Sequence, residues 1–139
     1  MTLDHFKRLL DHLGSLIAVP LHLDDHFRCV LNINGQLDIY LEPHPSDLYL
    51  NIGTKLVHLL SGPFAERVFK NALIANGELF PQKGYFAFSS KNNHLILCAT
   101  KYLPDLDAEE LSDYLEAFIQ KGLIWKRAIE QGYDRPDTF

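Results

Sequence analysis

The chain is predicted to form one α+β domain, a mostly antiparallel five-stranded sheet with three helices in the order α-β-β-β-α-β-β-α, and to be dimeric. Three observations support this. Apolar residues recur at helical spacing in three segments and alternate at strand spacing in five others. The last two strands are apolar on both sides, and such strands need cover on both faces.

The first helix is expected over about residues 3 to 14. Leu3, Phe6, Leu10, Leu13 and Ile17 keep the three-four spacing of one face, and Leu9 and Leu16 widen it. Thr2 suits the N-cap and Asp4 the positive end of the helix dipole, with Gly14 and Pro20 at the exit. A hairpin follows. Phe27, Cys29, Leu31 and Ile33 alternate with Arg28, Val30 and Asn32, and Asn34-Gly35 suits a type I′ turn. On the return, Leu37, Ile39 and Leu41 oppose Asp38, Tyr40 and Glu42. Leu48, Leu50 and Ile52 start a third strand, which residues 54 to 60 either prolong or break with a helical turn.

Gly62-Pro63 opens the second helix, with proline at the first helical position. Its apolar rows are Phe64, Val68, Ala72 and Ala65, Phe69, Leu73, and Gly77 is expected as a left-handed cap. Strands four and five fall at about 84 to 89 and 94 to 101, joined by Ser90-Lys91-Asn92-Asn93. The run Leu95 to Ala99 is apolar on both sides, so a partner subunit is expected to supply a second layer. In the last helix Asp107 and Glu110 form a capping box, and Leu106 can staple onto Leu111. Leu111, Leu115, Phe118, Trp125 and Ile129 keep one face over about 36 Å. Residues 1–132 are thus one domain and 133–139 a flexible tail.

Composition excludes several classes of function. Thirteen Lys and Arg against eighteen Asp and Glu give a net charge of -5, with no basic stripe of the kind that displaces counterions from nucleic acid. Charged residues interrupt the N-terminus, and no apolar run reaches the roughly 18 residues of a membrane helix, so neither a signal nor a membrane partner is expected. Cys29 and Cys98 read as buried strand residues, without disulfide or metal spacing, and suit a reducing cytoplasm.

Catalytic patterns are missing: there is no glycine-rich phosphate loop, G-x-S-x-G elbow or H-E-x-x-H helix. His5 and His12 share a helical face, and His22 and His26 follow in the next loop, yet four convergent ligands do not assemble. No metal, cofactor or enzymatic activity is expected. Asp24-Asp25 and Asp105 with Asp107 fit turn and cap roles.

Four segments together resemble the class I type III secretion chaperones, the Tir-chaperone-like family, over roughly residues 3 to 130. They are the opening LLDHLGSLIAVPLHLDD, the hairpin CVLNINGQLDIYLE, the stretch NALIANGELFPQKGYFAFSSKNNHLILC and the closing LEAFIQKGLIWKRAI. Phe118 and Trp125 stand where the family places aromatics. Asn34 replaces a common aspartate, and residues 54 to 64 match poorly.

The resemblance implies an ATP-independent cytoplasmic homodimer that holds the extended N-terminal leader of a secreted effector. By position it assigns effector binding to Phe6, Leu9, Leu10, Leu13, Leu16, Leu31, Ile33, Leu37 and Ile39. It assigns the dimer interface to Phe64, Val68, Phe69, Phe86, Phe88 and Ile96. The alternative is a regulatory module of the same fold that sequesters a regulator or pairs with a second chaperone chain.

Overall fold

The computed structural model describes residues 2–46, 48–77 and 83–137, with side chains from Asp4 onward. The expected Thr2 cap, the place of Leu3 in the apolar row and residues 138–139 of the tail lie outside the described set. The elements run α1 (Thr2–Ile17), β1 (Cys29–Ile33), β2 (Leu37–Pro43), β3 (Tyr49–His58), α2 (Pro63–Asn76), β4 (Tyr85–Ser89), β5 (His94–Tyr102) and α3 (Ala108–Glu130). The expected order holds. All pairings are antiparallel, in the spatial order β1-β2-β3-β5-β4.

The β1–β2 turn forms as its residues demand. Asn34 and Gly35 both take positive φ, 51° and 73°, and Asn32 Oδ1 accepts the Gly35 N–H at 2.9 Å. This fixes the register Ile33 opposite Leu37 through Cys29 opposite Leu41, which aligns the alternating apolar residues on one face. Residues 54 to 58 prolong β3, with a register shift between Lys55 and Val57.

Cys29, Leu31, Leu37, Ile39, Leu41, Leu50, Ile52, Leu56, Leu95 and Leu97 are buried on one face of the sheet and join one core with α1 and α3. At Gly122 an added Cβ would stand 3.2 Å from Leu56 Cδ2 and 3.3 Å from Leu37 Cδ1, so α3 lies close on the sheet. Asp107 Oδ1 accepts the Glu110 N–H at 2.8 Å, as the capping pattern requires.

One local reading needs correction. Gly77 is right-handed (φ -83°), because its N–H closes a tight turn on the Ile74 carbonyl. In the C-terminal tail, Arg67 and Asn71 of α2 hydrogen-bond to Asp134, and Pro136 is buried.

On the other face, Tyr40 opposes Gly53, Gly53 opposes Cys98 and Cys98 opposes Tyr85. Here Ile96 and Cys98 are half-buried and Tyr85 is exposed, so the chain's own helices leave the second side of β4 and β5 partly open.

Candidate binding surface

Among the described residues, two of the apolar surfaces outside the core lie around the exit of α1 and on α2 with β4. The first begins where α1 stops. Ala18 takes positive φ (58°) and the Val19 N–H returns to the Gly14 carbonyl at 3.0 Å. An added Cβ at Gly14 would meet Val19 O at 2.8 Å, so this exit needs the glycine. The turn leaves Leu16 (51%) and Val19 exposed beside a cavity of about 350 Å³ lined by Leu10, Gly14, Val19 and Leu21.

From there the chain enters a closed loop before β1. Asp24 accepts the His26 and Arg28 N–H groups at 2.8 and 2.9 Å and the Arg28 Nε at 3.2 Å. The Arg28 N–H is the main reason its carboxyl group is held below the usual carboxylate range. The loop turns Phe27 outward at φ 60° with 51% exposure. The sequence pattern placed Phe27 inside with Cys29 and Leu31. The positive φ reverses that, and β1 starts only at Cys29. Val30 is exposed on β1, the outermost strand at this end.

The second surface is α2 with β4, the strand at the opposite edge. Ala65, Val68, Ala72 and Ala75 form the buried row of α2, leaving Leu73 (68%) and Ile74 (53%) in solvent. Phe69 packs on the exposed Phe88 with ring centroids 4.3 Å apart. The β4 edge is partly occupied: Asn76 gives its amide to the Phe86 carbonyl at 2.9 Å and accepts the Phe86 N–H at 2.7 Å. One side chain thus satisfies the backbone pair a neighbouring strand would take.

Most residues assigned to effector binding lie in the chain's own core. Phe6, Leu9, Leu10, Leu13, Leu31, Leu37 and Ile39 are buried, Ile33 is half-buried, and Leu16 alone of this set is exposed. The seven buried ones are part of one core with the sheet and present no surface in this conformation. Of the interface set, Val68 and Phe86 are buried, Phe86 against Trp125 at 4.5 Å. Phe64, Phe69 and Ile96 are half-buried and Phe88 is exposed.

Val19, Phe27, Val30, Leu73 and Ile74 are exposed apolar residues outside both assigned sets. The small-residue row of α2, at spacing three, four and three, was the available signal, since Leu73 and Ile74 fall beside it.

The other polar groups have local roles. His5 Nε2 meets the Leu103 carbonyl at 3.0 Å, His44 pairs with Ser46, and Asp107 caps α3. Burial pushes the Cys29 and Cys98 thiols up in pKa, away from thiolate chemistry. Among the described residues no three His, Cys, Asp or Glu side chains gather as a metal site, and no helix is long and apolar enough to cross a membrane.

The described residues form a three-helix, five-strand α+β domain with apolar side chains exposed at the exit of α1 and on α2 and β4. More particularly, the chain belongs to the Tir chaperone protein (CesT) family, whose sequence model matches residues 8–126. The sequence resemblance is therefore borne out at the family level. A search of the curated proteins gave no match.

Solved structures share the fold. A chain of the ExsC-ExsE complex superposes with TM-score 0.75 at 20% identity, covering 90% of this chain and 93% of that one. The HopA1-SchA chaperone-effector complex gives 0.73 at 18%, covering 92% and 98%. The ExoT-SpcS complex from Pseudomonas aeruginosa gives 0.63 at 20%, covering 86% and 95%.

Proposed function

We propose that the chain is a dimeric, ATP-independent cytoplasmic chaperone that holds the N-terminal leader of a type III secreted effector in an extended state. The observation that carries this is an edge strand, β1, with Val30 exposed on it and Phe27 exposed two residues before it, together with Leu16 and Val19 exposed at the exit of α1. Family membership and the likeness in fold to a chain of the HopA1-SchA chaperone-effector complex support it.

Fixing a client residue costs roughly 1–2 kcal/mol of backbone entropy. Burying one aliphatic or aromatic side chain contributes roughly 1.5–3 kcal/mol, and each edge hydrogen bond about 0.5–1.5 kcal/mol net. These terms nearly balance over an alternating strand. Several anchors are needed, and the complex stays reversible without a chemical step. On this reading a second copy covers Leu73, Ile74, Phe69 and Phe88, doubling the client surface and its avidity.

The test is capture of partners from the native cell, followed by hydrogen exchange on the complex. An exported protein whose leader exchanges fast except over short protected stretches is the expected result. A partner bound as a folded domain would overturn the holding mechanism. Recovery of only a regulator or a second chaperone chain would replace the export role with the regulatory one.

A further inference from the structure

The last turn of the β3–β5 ladder is out of simple register. Lys55 stands opposite Ile96 and Val57 opposite Leu95, so β3 carries one extra residue between these pairs. Without that bulge Val57 would meet His94. With it, His58 and His94 become direct cross-strand partners. Bulges re-aim side chains in this way and recur beside functional sites. The two imidazoles meet with ring centroids 5.3 Å apart and planes at 67°. His58 is exposed and His94 half-buried, yet the Nδ1 atom of His94 is buried and, among the described residues, has no hydrogen-bond partner. Burying an unpaired polar atom costs free energy, and two phenylalanine rings would make the same contact without that cost. A buried nitrogen of this kind calls for a partner.

We propose that His58 and His94 form a two-histidine site for a divalent late transition metal (copper, nickel or zinc) that clamps the end of β3 to β5. This role is separate from the client-holding one. An imidazole nitrogen binds zinc at about 2.0–2.1 Å, so two rings sharing one tetrahedral ion have centres about 5 Å apart. The observed 5.3 Å is close to that spacing, and the two side chains leave neighbouring strands on one face. The donor type selects the ion: neutral nitrogen ligands without a carboxylate cage suit copper, nickel and zinc and serve calcium or magnesium poorly. Among the described residues no third His, Cys, Asp or Glu joins the pair, so solvent takes the remaining positions and the ion stays exchangeable. The net charge of -5 favours a cation. Just beyond the pair, the Leu59 N–H reaches the Asn93 carbonyl at 2.8 Å, and the chain then leaves for α2 at Pro63. The ion would therefore steady the strand end from which α2 departs.

The probes are copper(II) chloride and zinc chloride on the full chain. Copper bound to the native chain should show two equatorial nitrogens by electron paramagnetic resonance. In titration calorimetry, His58→Phe and His94→Phe should each weaken copper binding on the order of a hundredfold, because the second ligand is no longer held at high effective concentration. Both variants keep a ring-on-ring contact, so without metal their melting temperatures should hold. Zinc should raise the native melting temperature by a few degrees and leave both variants unmoved. Equal copper affinity in the native chain and both variants would overturn the proposal and place the ion on the chain's other histidines. A loss confined to one variant would also overturn it, since a single imidazole would then be the ligand. So would a loss that tracks a lowered metal-free melting temperature, because the pair would then serve the fold. A native midpoint indifferent to zinc would remove the clamp.

Discussion

At the scale of single residues, burial decides which side chains are free to meet a partner. Phe6 is fully buried, so Phe6→Asp would place a carboxylate in the core and unfold the chain before client binding could be read. Trp125 lies in the same core, 4% exposed, with its ring tilted against Phe86. Trp125→Ala should cost about 3–5 kcal/mol of unfolding free energy. Urea denaturation checks this, and a change near zero would mean that the indole contributes nothing to packing. Asp24 gives a pH expectation. Its folded pKa is lowered, chiefly by the Arg28 N–H, so its contribution to the loop is full above the ordinary carboxylate value of 3.8 and is lost only as pH falls through the lowered value. The Phe27 and Arg28 amide signals in an NMR titration should therefore stay fixed through mildly acidic pH. Movement near pH 5 would show that Asp24 does not hold the loop.

At the scale of elements, the sequence marks most helices and strands by their periodicity and leaves residues 54 to 60 undecided between strand and helical turn. The α3 cap and the Asn34-Gly35 turn are legible to the residue, since only a few side chains satisfy those backbone groups. The candidate binding surface is less legible. An amphipathic stripe says that a helix is apolar on one face, and α1 uses Phe6, Leu9, Leu10 and Leu13 to cover its own sheet. The residues left over sit where helices end or where φ turns positive, at Leu16, Val19 and Phe27, and period alone does not mark such places. For α2 the small residues face inward and the large ones outward, which inverts the usual expectation for an apolar row. Leu73→Glu should therefore leave the fold intact while placing a charge on the proposed interface between copies. Light scattering should show the mutant at half the native mass. A native-sized Leu73→Glu species would remove α2 from that interface.

At the scale of the whole molecule, assembly and stability are linked. One chain buries a continuous core but leaves Leu73, Ile74 and Phe88 in water at one end. If two copies close over that end, unfolding releases two chains, and mass action makes the dimer harder to melt at higher concentration. Each tenfold rise adds about 1.4 kcal/mol per mole of dimer, which at this chain length moves the melting midpoint by a few degrees. The net charge of -5 on each copy opposes association weakly, and added salt should narrow that opposition by screening. Scanning calorimetry over a wide dilution series should accordingly show a midpoint that climbs with concentration in the native chain and stays level in Leu73→Glu. A level midpoint in both would mean that the α2 patch is left open by this chain's own copies, and a different partner would then have to cover it.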